Sequence, residues 1–231
     1  MSQLMAIQDA VHKVKERMHE ICPTRAVRLM AVTKFRDRDE ALAAIRGGAD
    51  LLGENRVQEA LKKWKDHKPP VPLHCIGHMQ TNKVKYGIEI FDSIDSVDSD
   101  RLSDALDQKS DHRLSVMVEV NVGEEATKSG LSPMAVLPFL EGAGRFSRIR
   151  IQGLMTVLPA RRENSIEEGR RIRQHMQDMV NLWRMCRSEG FPWAPLDDLS
   201  MGMSGDWEWA LEAGTTIIRL GTVIFGPRPT K

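Results

Sequence analysis

One lysine in this chain stands where covalent chemistry could occur. Lys34 directly follows the apolar run Leu29–Val32, so we expect it at the end of a buried strand. An amine that is partly desolvated there, and close to a second cation such as Arg219, is less basic than an ordinary lysine. A neutral amine can attack a carbonyl and form an imine. A solvated lysine at a strand end is the commoner situation, so the neighbouring residues decide between the two.

The end of the chain carries the most specific pattern, LSMGMSGD at residues 199–206 followed by IRLGTVIFG at 218–226. Ser200 and Ser204 offer hydroxyl groups, and the glycines allow backbone N–H groups to approach an anion. A helix beginning near Asp206 would point its positive end at the same place, and Gly221 and Thr222 follow the last strand candidate. The pattern predicts two phosphate-binding loops, although a pair of ordinary glycine and serine turns is the alternative.

The other candidate ligands differ in strength. Arg219 lies within the last strand candidate, so we expect its guanidinium inside the fold, where a ligand acceptor would satisfy it. His74 and His78 straddle a strand end rather than sharing a helix face, so no metal site is predicted. Four aspartates without EF-hand spacing predict a solvated loop: Asp92, Asp95, Asp98 and Asp100.

The overall charge excludes several classes of partner. The 231 residues include 33 lysines and arginines against 32 acidic residues, so a net charge of +1 offers no single-sign field to nucleic acid or an anionic membrane. The basic pairs Lys62-Lys63 and Arg161-Arg162 are interpreted as solvated helix faces. Three distant cysteines without a C-x-x-C pair predict neither disulfides nor zinc. No signal peptide or membrane span is recognisable, so we expect a cytoplasmic protein.

Short apolar runs alternate with helical periodicity along most of the chain. The predicted strands are Arg28–Thr33, Asp50–Gly53, Leu73–Ile76, Phe91–Ile94, Leu114–Val120, Arg150–Met155, Asp198–Ser200 and Thr216–Leu220. The predicted helices are Leu4–Glu20, Arg38–Arg46, Asn55–Lys65, Arg101–Gln108, Met134–Glu141 and Ile166–Glu189. Glycines after the second and the last of these helices are typical stop signals.

This alternation predicts an α/β fold with a parallel sheet. Eight strands in this length favour a closed (β/α)8 TIM barrel. An open doubly wound sheet is the second choice, because it usually has a glycine-rich turn after its first strand, where this chain reads TKFR. No linker divides the chain, so we expect one domain over residues 1–231. Residues 1–26 would form an N-terminal helix and lead-in, and residues 27–228 the barrel.

In a barrel of this kind the carboxyl ends of the strands surround one mouth. Those ends offer an amine at Lys34, an amide at Asn55, hydroxyls at Ser200 and Ser204, and a guanidinium at Arg219. Such a set predicts a binding site for an anionic ligand that also accepts and donates hydrogen bonds.

Several motifs resemble those of the pyridoxal phosphate homeostasis family, also called the proline synthase co-transcribed proteins. The motifs are AVTK at 31–34, GEN at 53–55 with VQE at 57–59, HCIGHMQTNK at 74–83, EVN at 119–121, KSG at 128–130, GLM at 153–155 and the two C-terminal segments. The resemblance runs in order from about residue 27 to residue 228. Gly205 and Met79 depart from the family pattern, where a more polar residue and a leucine are commoner.

The resemblance implies a fold-type III barrel, shared with the N-terminal domain of bacterial alanine racemase but without its C-terminal β-domain. It implies that Lys34 holds pyridoxal 5′-phosphate (PLP) as a Schiff base and that Arg219 faces the pyridine nitrogen. It also implies that Asn55 lies beside the cofactor ring. The phosphate would be held by Ser200, Gly221 and Thr222, with Ser204 nearby.

The function implied is PLP binding and homeostasis, in which the protein holds, buffers or delivers the cofactor to apo-enzymes. Arg219 would keep the ring nitrogen unprotonated, because a guanidinium does not give up its proton, and Tyr86 is the only tyrosine. Efficient catalysis is therefore not expected. A weak amino-acid racemase or decarboxylase is the first alternative, and a cofactor-free Schiff-base aldolase is the second. A monomer is expected, because the dimerising racemase domain is missing.

Overall fold

A computed structural model describes residues 2–159 and 165–227 of the chain. The strands are β1 Arg28–Val32, β2 Leu51–Glu54, β3 Leu73–Cys75, β4 Ser93–Val97, β5 Leu114–Glu119, β6 Ile149–Met155, β7 Asp198–Ser200 and β8 Ile217–Leu220. Each pairs in parallel with the next, and β8 pairs with β1, so the sheet closes. The predicted (β/α)8 barrel is confirmed, and the open doubly wound sheet is excluded.

The helices surround this barrel. They are α1 Gln3–Ile21, α2 Arg38–Arg46, α3 Val57–Trp64, α4 Val84–Ile90, α5 Asp100–Lys109, α6 Pro133–Gly142, α7 Ile166–Ser188, α8 Trp207–Ala213 and α9 Thr222–Phe225. The predicted helices agree with these bounds to within two residues. One short helix was missing from the prediction, α9, because its four residues are too few to show a periodic apolar stripe.

Local sequence explains how the first elements form. The buried residues of α1 are Ile7, Val11, Val14 and Met18, whose spacing places them on one face of the helix. The neighbours of α1 are the helices α2, α8 and α9. Helix α2 begins at a capping box, in which the Asp37 side chain accepts from the backbone N–H of Glu40 and the Glu40 side chain accepts from that of Asp37. The chain is thereby turned back sharply after β1.

The core has two parts that differ in size. The larger lies between the outside of the barrel and the helices, and includes Trp64, Phe91 and Leu106. The smaller fills the barrel interior and consists of Met30, Leu51, Met117, Met155 and Ile217.

Two predictions about charged segments are wrong. The acidic run predicted as a solvated loop contains β4, and Asp95 on that strand is completely buried because His74 on the neighbouring strand pairs with it.

Seven strands lie within one residue of their predicted bounds, but β4 begins at Ser93 instead of Phe91.

The pair Lys62-Lys63 is not a wholly solvated face either. Lys62 is exposed, but the Lys63 side chain is only 6% exposed and contacts Glu54. The pair Arg161-Arg162 and the last residue of the predicted barrel segment, Arg228, lie outside the described residues. Among the described helices, none is long and apolar enough to cross a membrane.

Candidate functional site

A cavity of about 450 Å³ opens at the carboxyl end of the barrel. This volume lies within the range of small-molecule sites. Six of the seven predicted site residues line it: Lys34, Asn55, Ser204, Arg219, Gly221 and Thr222. The remaining lining residues are Val32, Arg36, Ile76, Val157, Pro159, Met203, Gly205, Asp206, Phe225 and Gly226.

Lys34 lies in a tight turn immediately after β1. The Arg36 N–H donates to the Thr33 carbonyl at 3.1 Å, and the Thr33 N–H donates to Gly53 of β2 at 3.0 Å, so the turn continues the sheet. Phe35 has a φ of 62°, in the left-handed region that bulky residues rarely occupy. The turn leaves the Lys34 side chain half-buried on the cavity wall.

Arg219 lies on β8 and is only 3% exposed. Its Nη1 donates to Ser200 Oγ at 2.6 Å and its Nη2 donates to the Thr156 carbonyl at 2.7 Å. Burial lowers the pKa of the guanidinium, while the negative charges of Asp95, Asp206 and Glu119 raise it. The pKa of an arginine is so high that the group stays protonated, so the cavity contains a fixed buried cation.

Ser200 is the predicted site residue that does not line the cavity. It is completely buried at the end of β7 and accepts the hydrogen bond from Arg219. Ser200 therefore holds the Arg219 guanidinium in place. A contact between Ser200 and a phosphate stays a prediction.

The loops after β7 and β8 form the part of the wall next to the Lys34 turn, because β8 pairs with β1. Gly202 has a φ of 94°, and a Cβ there would lie 2.6 Å from Ala210 Cβ, so only glycine fits. The Met203 N–H donates to Asp206 Oδ1 at 2.6 Å, which closes the loop before α8. Burial raises the pKa of the Asp206 carboxyl, and the Met203 N–H and Arg219 lower it. Gly221 and Thr222 begin α9, whose first N–H groups have no partner within the helix.

Arg36 connects the lysine turn to the loop after β8. Its Nη2 donates to the carbonyls of Gly226 at 2.9 Å and Pro227 at 2.6 Å, and its guanidinium lies 5.5 Å from the centre of the Phe225 ring. Its Nη1 contacts Glu40 at 3.3 Å. No feature of the sequence around Arg36 indicated this connection, because the two carbonyl groups to which Arg36 donates lie about 190 residues away.

Asn55 shows that the cavity is built for a polar ligand. Its Oδ1 is buried and has no hydrogen-bond partner among the described residues. The oxygen and nitrogen of an amide exchange places by a simple flip, so Asn55 can present either an acceptor or a donor. A buried polar atom without a partner is costly, and a ligand bound in the cavity would satisfy it.

The neighbouring side of the barrel mouth contains acidic groups instead. His74 Nδ1 lies 2.8 Å from Asp95 Oδ2, and Ser93 Oγ donates to Asp95 Oδ1 at 2.6 Å. Burial raises the pKa of Glu119, and Asp98 raises it further. No group of three or more described residues could hold a metal ion.

Comparison of the sequence with known proteins gives two findings. The sequence profile of the alanine racemase N-terminal domain matches residues 3–229. A pyridoxal phosphate homeostasis protein from Pasteurella multocida is 32% identical over 228 residues, which is 96% of this chain and 93% of that protein.

Two solved structures resemble this chain. PipY from Synechococcus elongatus, solved with PLP bound, is 27% identical with a TM-score of 0.82, and the match covers 95% of this chain and 100% of PipY. Alanine racemase from Corynebacterium glutamicum is 17% identical with a TM-score of 0.77, over 98% of this chain and 62% of that enzyme. The racemase similarity shows a shared fold.

Proposed function

This chain belongs to the pyridoxal phosphate homeostasis protein family, and from that premise we propose that it binds PLP covalently through Lys34. One observation carries the proposal: the Lys34 amine, the buried Arg219 and the Gly221-Thr222 loop all line one cavity. PipY, with which this chain shares its fold over nearly its whole length, has been solved with PLP bound.

The residues of the cavity fit this cofactor. PLP supplies an aldehyde that condenses with a primary amine and a phosphate that carries negative charge. Lys34 provides the amine, and Arg219 presents a fixed cation to a ring acceptor. Thr222 and Ser204 provide hydroxyls, and glycine-flanked N–H groups accompany them at the phosphate end. The unpartnered Oδ1 of Asn55 is satisfied by the same ligand once the amide takes the matching orientation.

The function is storage and supply of the cofactor rather than turnover of amino acids. Carbanion chemistry on PLP requires a ring that can accept electrons and a group that moves protons on each face. Arg219 keeps its own proton, and the described lining residues include no tyrosine, histidine or cysteine. The one carboxyl among them, Asp206, accepts the Met203 N–H in the loop before α8. Tyr86 is 48% exposed on α4 and does not line the cavity.

We further propose that the protein acts as a monomer in the cytoplasm. It also binds amino acids, and it delivers PLP to apo-enzymes by transient contact. Its three cysteines are free and buried, which suits a reducing compartment. The cavity opens to solvent beside the exposed side chains of Phe35 and Met203, so the bound cofactor has a path out of the barrel.

The proposal is tested by the colour and the exchange chemistry of the purified protein. A visible absorption band that borohydride removes shows covalently bound PLP, and a colourless protein that cannot be loaded favours the aldolase. Deuterium uptake at the α-carbon of a panel of amino acids then separates the remaining functions. We expect no rapid uptake, and rapid uptake that depends on Lys34 would show a racemase or a related enzyme.

A further inference from the structure

Both peptide groups of Lys34 are held by side chains of α3. The carbonyl that precedes Lys34, on Thr33, accepts a hydrogen bond from Lys63 Nζ at 2.8 Å. The N–H that follows Lys34, on Phe35, donates to Glu59 Oε1 at 2.5 Å. Glu59 and Lys63 are four residues apart, so they lie on the same face of α3.

Glu54 holds Lys63 in place. Lys63 Nζ lies 2.6 Å from Glu54 Oε1, and the same oxygen accepts the Thr33 hydroxyl at 2.7 Å. The Glu54 side chain is completely buried and that of Lys63 is 6% exposed. An ion pair at this depth is expensive to desolvate and seldom adds to stability over a well-packed apolar pair. A role in geometry therefore explains its presence better than a role in stability does.

The conformation of the turn explains why such a hold is needed. Phe35 adopts a left-handed φ of 62°, and a bulky residue keeps this conformation only where its surroundings enforce it. If the two peptide groups were released, the backbone at Lys34 could relax. The direction of its side chain into the cavity would then no longer be fixed.

We propose that Lys63 and Glu59, with Glu54 behind them, are positioning residues that aim the Lys34 amine at the aldehyde of PLP. This inference rests on the proposed function. It predicts that loss of these contacts weakens the covalent attachment of PLP and leaves the non-covalent binding of its phosphate and ring unchanged. Among the described residues, Glu54 and Lys63 form no hydrogen bond or ion pair with the loops after β7 and β8.

The test compares two ligands, PLP and pyridoxine 5′-phosphate, which has an alcohol in place of the aldehyde. The main variant is the double substitution Lys63→Met with Glu54→Gln, which removes the ion pair without leaving a buried charge unpaired. Glu59→Ala tests the second contact, and Glu59→Gln should restore it because the amide oxygen still accepts the Phe35 N–H. Lys62→Met, the exposed neighbour on the same helix, is the matched control.

We expect the double variant and Glu59→Ala to bind PLP about tenfold more weakly, the loss expected for one charge-assisted hydrogen bond. Their affinity for pyridoxine 5′-phosphate should stay within about twofold of the wild type, as should both affinities of Lys62→Met. Unchanged PLP affinity, or an equal loss for both ligands, would overturn the positioning role. A wild-type protein that forms no covalent adduct with PLP would instead refute the proposed function.

Discussion

The two sides of the barrel mouth have opposite chemistry although the same fold builds both. The donor half, formed by the ends of β7, β8 and β1, contains Lys34, Arg36 and Arg219 and opens into the cavity. The acid half, formed by the ends of β3, β4 and β5, contains Asp95, Asp98 and Glu119. No described residue from the ends of β4 or β5 lines the cavity.

This difference explains how a symmetric scaffold orients an asymmetric ligand. We expect a phosphate to be attracted to the donor half and repelled by the carboxylates of the acid half, and so to bind at one side of the mouth. The buried guanidinium is balanced from both halves, because the charges of Asp95 and Glu119 in the acid half and of Asp206 in the donor half all raise the pKa of Arg219. The acid half therefore contributes to keeping the central cation of the donor half charged.

The largest expected effect comes from removing the amine of the donor half. Lys34→Ala should abolish the absorption band of the bound cofactor and weaken PLP binding on the order of a hundredfold. Some affinity should remain, because Arg219 and the loop after β8 do not depend on the lysine. Equilibrium dialysis with PLP measures the change, and affinity equal to that of the wild type would show that Lys34 does not form the bond.

The second effect concerns the acid half. Asp95→Asn keeps the shape of the side chain but removes the charge that faces His74 and Arg219, so the free energy of unfolding should fall by about 2 kcal/mol. Asp98→Asn in the same half is the control. Its partner His78 is 57% exposed, so the loss should stay below about 1 kcal/mol. Urea denaturation measures both, and equal losses would contradict the balancing role of Asp95.

These two halves differ in how far the sequence predicts them. The place of Lys34 and of the Gly221-Thr222 loop could be predicted because each directly follows an apolar run, and that of Arg219 because it lies within one. Asp95 was assigned to a solvated loop, because a run of aspartates normally faces water. Its burial depends on His74, 21 residues earlier, and such a pairing becomes visible only when β3 and β4 lie side by side.

The local sequence pattern also gives a wrong prediction for the solvent exposure of a residue near Lys34. Lys63 looked like one of two solvated lysines on a helix, and only the closed barrel places it beneath the Thr33 carbonyl. The strand order and most strand bounds follow from alternating apolar runs, which are local. Several contacts that hold the site join residues far apart in the sequence, such as Thr33 with Glu54, 21 positions apart, and Arg36 with Pro227, 191 positions apart, and no local spacing encodes them.

A third effect tests whether the donor half recognises the phosphate. Thr222→Ala should weaken PLP binding about tenfold, because one hydroxyl donor to an anion is lost. Its affinity for pyridoxal, which has no phosphate, should not change. Wild-type protein should in turn bind pyridoxal far more weakly than PLP. If dialysis showed that the wild type binds pyridoxal and PLP equally well, the donor half would not recognise the phosphate.

The smallest effect comes from Asp206, the one carboxyl among the described residues that line the cavity. Burial raises its folded-state pKa above the unfolded value, so the folded protein binds more protons there and its stability falls as pH rises through that pKa. Asp206→Asn keeps an acceptor for the Met203 N–H and should remove this slope. Urea midpoints of the two proteins, followed from about pH 4 to about pH 7, should diverge in favour of the variant. Parallel profiles would show that Asp206 is not desolvated.

The central claim is that Lys34 carries the cofactor in the donor half. The most direct measurement is borohydride reduction of the PLP-loaded protein, followed by proteolysis and mass spectrometry of the peptides. The account predicts one reduced phosphopyridoxyl adduct, on Lys34, which is absent from Lys34→Ala. A principal adduct on another lysine, such as Lys83 or Lys128, or loading that leaves no adduct after reduction, would contradict it.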